Sequence, residues 1–141
     1  MNKTKWLGSK SELLVAADLM NKGYYVYTEM GDNSPIDLVA IHNENLKQIL
    51  RVQVKAAKVH NGTITVYGNN STRSYCRVYN KDDFDVFAVH VYERNIILYI
   101  PIEDVIRDDK KSSTLWVRID PPQRNQKKRI NFYEQYLNLT I

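Results

Sequence analysis

The chain has 141 residues, 43% of them hydrophobic and 26% charged, which fits one globular domain large enough for a real core. No apolar run approaches the roughly 18 residues of a membrane helix, no apolar stretch follows the lysines of Met1–Trp6 to make a signal peptide, and the single Cys76 excludes an internal disulfide, so a reducing, cytoplasmic setting is expected. The net charge of +4 and pI of about 9.1 lean toward anionic partners. In chain order, Ser9 to Lys22 reads as a helix, with Ser9 and Glu12 as a capping box and Gly23 as its stop. Tyr24 to Glu29 is a strand, Gly31 to Pro35 a loop, Ile36 to Ile41 a strand, Asn43 to Gln48 a turn, and Ile49 to Ala57 the returning strand. Thr63 to Tyr67 is a short strand and Gly68 to Ser74 a polar loop. Phe84 to Tyr92 and Ile96 to Ile100 form a hairpin, followed by a short helix, Ile102 to Arg107, and a strand, Leu115 to Ile119. Pro121-Pro122 breaks the chain, and Phe132 to Leu139 reads as a closing helix. The order predicts an α/β or α+β domain built on a mixed sheet.

The informative stretch is Pro35-Ile36-Asp37-Leu38-Val39-Ala40 with Leu50-Arg51-Val52-Gln53-Val54-Lys55-Ala56. Its second strand alternates: Arg51, Gln53 and Lys55 point one way, and Val52, Val54 and Ala56 the other. A turn centred near Asn45 sets Ile36 against Val54, Leu38 against Val52 and Ala40 against Leu50 on one apolar face. A one-residue slip breaks that pairing. Asp37 then lies opposite Gln53, with Lys55 on the diagonal. A carboxylate, an amide and an ammonium on one patch can hold a hard cation and handle a water for phosphodiester hydrolysis; the same three residues are also compatible with an ordinary polar hairpin face. On a helical wheel Glu12 falls within the apolar arc, between Leu19 and Ala16, where an acid needs a partner. It either closes the cap with Ser9 or joins the site, and the two roles are compatible.

At these residues the chain resembles the PD-(D/E)XK nuclease superfamily: a helix with an acid (Glu12), a strand-start Pro35-Ile36-Asp37, then Gln53-Val54-Lys55 on the next strand. Within it, the chain is similar to the bacterial group I intron-encoded homing endonucleases of this fold. The resemblance implies a restriction-endonuclease-like mixed sheet flanked by helices, spanning residues 1–141 as one domain, with 121–141 part of it or an extension for DNA binding or oligomerisation. It implies Mg²⁺, replaceable by Mn²⁺, held by Asp37, the Val54 carbonyl and Gln53, with Glu12 reaching the metal and Lys55 positioning the nucleophilic water. It further implies double-stranded DNA with a long target, a homo-oligomer of at least two subunits and up to four, and a bacterial cytoplasm. Gln53 departs from the usual Asp or Glu and brings no charge. A junction-resolving nuclease shares the same signature, and a DNA-binding module without activity remains the reading that Gln53 keeps open.

DNA contact is expected at Lys58, Arg73, Tyr75, Arg77 and Lys81, where basic and aromatic residues mix, with Tyr79 among them. It is also expected at Arg124, Lys127, Lys128 and Arg129 in an acid-free stretch, which a solvated loop explains equally well. Lys3, Lys5 and Lys10 form a second acid-free cluster. His42, His60 and His90 have no metal-ligand spacing and read as structural or surface residues. Tyr24, Tyr25 and Tyr27 read as packing residues. No P-loop or dinucleotide fingerprint is present.

Overall fold

The structure, a computed structural model, describes residues 1–72, 75–107, 113–122 and 130–139. Helix α1 runs Lys3–Asn21. It starts at Lys3 and not at Ser9 because the Asn2 side chain caps it, accepting the Lys5 N–H at 3.2 Å. The Ser9–Glu12 capping box therefore does not form, and both residues sit inside the helix. The expected stop holds: Gly23 takes φ 89, a left-handed value glycine adopts without strain, and its N–H reaches the Met20 carbonyl at 3.0 Å. Ser11, Val15 and Leu19 are buried at i, i+4 spacing and form the inner line of α1.

That line packs on a five-stranded mixed sheet of order β1-β2-β3-β7-β8. Its strands are β1 (Tyr24–Thr28), β2 (Leu38–His42), β3 (Ile49–Ala57), β7 (Val86–Val91) and β8 (Ile96–Pro101). The β3–β7 pair is parallel and the other three are antiparallel. Leu38 pairs with Val52 and Ala40 with Leu50, the expected register. Together with Tyr24, Val54, Val86 and Ala88 they form the core beneath α1.

Between the parallel strands lie β4 (Thr63–Tyr67), β5 (Asn69–Thr72) and β6 (Tyr75–Val78). The segment read as a polar loop is thus a hairpin, with Asn69 opposite Val78 and Ser71 opposite Cys76. Strand β4 pairs with β9 (Thr114–Arg118). With the one-turn α2 (Ile102–Val105), it covers the opposite face of the sheet. Phe84, Phe87, Val89, Val91, Leu98 and Ile100 are fully buried in this second core. The expected closing helix is a single 3₁₀ turn, Tyr133–Tyr136, packed there through Tyr136. Among the described residues no helix is long and apolar enough to cross a membrane.

Candidate active site

The β2–β3 ladder ends at Leu38, one residue short of Asp37. The Asp37 N–H donates to the Val52 carbonyl at 2.9 Å, and the Asp37 Oδ2 accepts the Val54 N–H at 2.7 Å. A side-chain carboxylate thus supplies the acceptor that a continued strand would offer. This turns the chain, and Ile36 packs into the second core instead of facing Val54, correcting the expected pairing. The preceding loop is tied down by Glu29, which accepts the N–H groups of Asn33 and Ser34, each at 3.0 Å. The Ser34 and Asn33 N–H groups hold the Glu29 carboxyl below its ordinary range.

Gln53 is 7% exposed, and its amide Nε2 donates to Asp37 Oδ2 at 2.5 Å and to the Val54 carbonyl at 3.2 Å. Two oxygens, one from the residue before β2 and one from β3, therefore converge on one polar hydrogen-bearing group. Burial pushes the Asp37 carboxyl up, against the pull of the Val54 N–H, Lys55 and the Gln53 amide. Glu12 is exposed beside the buried line of α1, not within it, because Ser11 takes the inward position. Loss of solvent around its carboxyl, then the charges of Asp37 and Asp32, push Glu12 up. Asp32, at φ 48 in the loop, is a third acid whose charge raises both Glu12 and Asp37; no spacing in the sequence marked it. Among the described residues, no three His, Cys, Asp or Glu side chains form a ready-made metal cluster. A donor set of one carboxylate, one backbone carbonyl and one amide oxygen, with acids around it, nonetheless suits a hard cation that keeps several waters.

Lys55 is half-buried, and its Nζ donates to the Tyr79 hydroxyl at 3.1 Å. Burial lowers the Lys55 ammonium's pKa, and Asp37 opposes that. A cleft of about 400 Å³ opens beside Lys55, lined by Lys58, His60, Tyr67 and Asn69 among others. The structure thus brings Asp37, Gln53, Val54 and Lys55 together, with Glu12 at their edge.

The expected DNA-contacting residues divide. Lys58 is exposed on the cleft. Arg77 is half-buried and pairs with Asp83 at 3.5 Å, and the exposed Lys81 donates to the Arg107 carbonyl at 3.2 Å. Tyr75 opens β6. Arg73, Arg124, Lys127, Lys128 and Arg129 lie outside the described residues. Of the histidines, His42 stacks edge-on against Tyr24, and His90 is buried against Ser11.

A sheet of this order, carrying an acid at a broken ladder and a lysine on the next strand, has the architecture of a restriction-endonuclease-like nuclease. The PD-(D/E)XK endonuclease profile matches residues 2–139, and the chain belongs to that family. The fold is similar to that of a bacterial homing endonuclease, I-Ssp6803I, at TM-score 0.71 and 22% identity, over 96% of this chain and 88% of that one. It is also similar to Hjc, a Holliday junction resolvase from the hyperthermophilic archaeon Archaeoglobus fulgidus. There the TM-score is 0.52 and the identity 16%, over 77% of this chain and 82% of that one. No curated protein matches the chain.

Proposed function

We propose that this nuclease is a site-specific, Mg²⁺-dependent DNA endonuclease, with Mn²⁺ serving in place of Mg²⁺, that makes double-strand breaks as an intron-encoded homing enzyme. The observation that carries the reading is the convergence of Asp37 Oδ2 and the Val54 carbonyl on the Gln53 amide, beside Lys55. Asp37, the Val54 carbonyl and the Gln53 side-chain oxygen would hold the cation, with Glu12 reaching it through water. A divalent cation at such a place lowers the pKa of a bound water and offsets phosphate charge. Gln53 presents its NH₂ group to both oxygens, so its amide turns over to offer the oxygen instead. Lys55 orients the attacking water, and its ammonium offsets the negative charge that develops on the phosphate. Lys58 and the basic residues of the β5–β6 hairpin and of 121–141 track the phosphates.

One chain carries one site, so cutting both strands takes at least two subunits related by symmetry. A long target supports a larger assembly, up to four. The experiment is cleavage of a pooled genomic plasmid library with Mg²⁺ and with EDTA, followed by sequencing of the ends. Metal-dependent breaks at one or a few long related sites, absent with Lys55→Ala, support the reading. Likeness of fold to a junction resolvase supports a second one, in which four-way junctions are cut without sequence preference. Tight DNA binding with neither activity would leave a DNA-binding module that has lost catalysis.

A further inference from the structure

Lys55 sits at the end of a flexible four-carbon stem, and such a group must be held if it is to orient a water reproducibly. Its holder is Tyr79, which lies in the sequence beyond the β5–β6 hairpin. The Tyr79 hydroxyl accepts a hydrogen bond from Lys55 Nζ at 3.1 Å, and the ammonium lies 5.2 Å from the centroid of the same ring. The ring itself is fixed. Tyr79 is 3% exposed, with Phe84 edge-on at 5.0 Å and Phe87 at 6.0 Å. Its backbone N–H donates to the Gly68 carbonyl at 3.0 Å, which closes the foot of the hairpin.

We propose that Tyr79 is a positioning residue of the nuclease site: its hydroxyl, anchored by the Phe84–Phe87 cluster, aims the Lys55 ammonium toward the place where Asp37 and the Val54 carbonyl converge. This rests on the nuclease reading of the site. The buried hydroxyls of Tyr99 and Tyr136 donate to the carboxylates of Asp18 and Asp104, whereas the Tyr79 oxygen accepts from the lysine of the candidate site. The hydroxyl is pushed up to about 12, chiefly by burial and then by Asp37, so it stays neutral near pH 7 and does not compete with Asp37 for the ammonium.

Tyr79→Phe tests this, because it keeps the ring, the stacking and the cation–π contact and removes a single oxygen. In the full-length protein the single-turnover cleavage rate is expected to fall about tenfold to a hundredfold. KM, DNA affinity measured with Ca²⁺ and the melting temperature should stay unchanged. The Lys55 ammonium should give a protected ¹H–¹⁵N correlation in the parent protein that is lost in Tyr79→Phe. An unchanged rate, an ammonium signal that survives the substitution, or a rate loss matched by equal losses in binding and melting would overturn the proposal. If the parent cuts no DNA, the nuclease reading fails, and the ammonium signal alone still decides whether Tyr79 holds Lys55.

Discussion

The Gln53 amide donates to Asp37 Oδ2 at 2.5 Å and so stands between the acid and the Val54 carbonyl, the two oxygens proposed to hold the cation. An amide can satisfy both acceptors without a metal, whereas a carboxylate there would repel Asp37. Gln53→Glu is therefore expected to raise affinity for Mn²⁺ in the absence of DNA by about tenfold or more, since it adds a charged ligand and removes the competing N–H₂. Titration calorimetry reads this directly. Equal affinity in the two proteins would remove Gln53 from the metal site.

Burial disfavours the charged form of Asp37. Its carboxyl is raised above the usual 3.8, chiefly by loss of water. A raised folded-state pKa means that the contribution to stability is fully present below the unfolded value and is lost as pH rises through the folded one. Asp37→Asn keeps the shape and an acceptor for the Val54 N–H but never ionises. Its melting temperature should match the parent near pH 3.5 and exceed it at pH 7, while cleavage falls at least about a hundredfold. A lower melting temperature at pH 7 would mean that the hydrogen bonds from Val54 and Gln53 outweigh the desolvation.

Strand β3 and its register against β2 were legible because the alternating Leu50 and Val52 pair with Ala40 and Leu38 only one way. Asp37, Gln53 and Lys55 were legible for the same reason, since one register brings them together. The turn-out of Ile36 was not, because it depends on a carboxylate replacing a backbone carbonyl, which no side-chain period records. The β5–β6 hairpin hid in Asn69–Thr72, polar residues without alternating hydrophobicity. The start of α1 was set by one capping asparagine among lysines. Tyr79 reaches Lys55 only through the tertiary fold, so its basic neighbours suggested a DNA contact rather than a buried one.

Arg51 and Asp85 form a fork between β3 and the start of β7, with Nη2 to Oδ1 at 2.8 Å and Nε to Oδ2 at 3.2 Å. Asp85 also accepts the Arg51 N–H at 2.7 Å. Although burial pulls the other way, the hydrogen bonds and charge of Arg51 hold Asp85 below its ordinary range. A lowered carboxyl contributes stability above its unfolded pKa and loses it as pH falls through the folded one. Both side chains are more than a third exposed, so solvent screens the pair. Arg51→Met should cost roughly 0.5–1 kcal/mol near pH 7 and less in high salt. The difference should shrink as pH drops below about 3.8. Denaturant melts at several pH values check this, and a cost that does not change with pH or salt would assign it to lost packing of the arginine stem.

Ser11 and His90 join α1 to β7 through a buried Oγ···Nδ1 hydrogen bond of 2.8 Å. The bond ties the helix that carries Glu12, beside its buried Val15 and Leu19, to β7. His90 is held below its ordinary pKa by burial and by Lys10, so protonation is disfavoured in the folded state and the fold loses stability as pH drops below about 6.5. Ser11→Ala leaves the imidazole nitrogen unpaired and should cost about 1–3 kcal/mol. Adding His90→Phe removes the orphaned group, so the double variant should be more stable than the sum of the two single losses implies. The single Ser11→Ala variant should also lose cleavage beyond its loss of fold at a temperature where it is fully folded, because Glu12 is free to swing. If cleavage persists at the parent rate there, Ser11 and His90 support the core and do not orient the site.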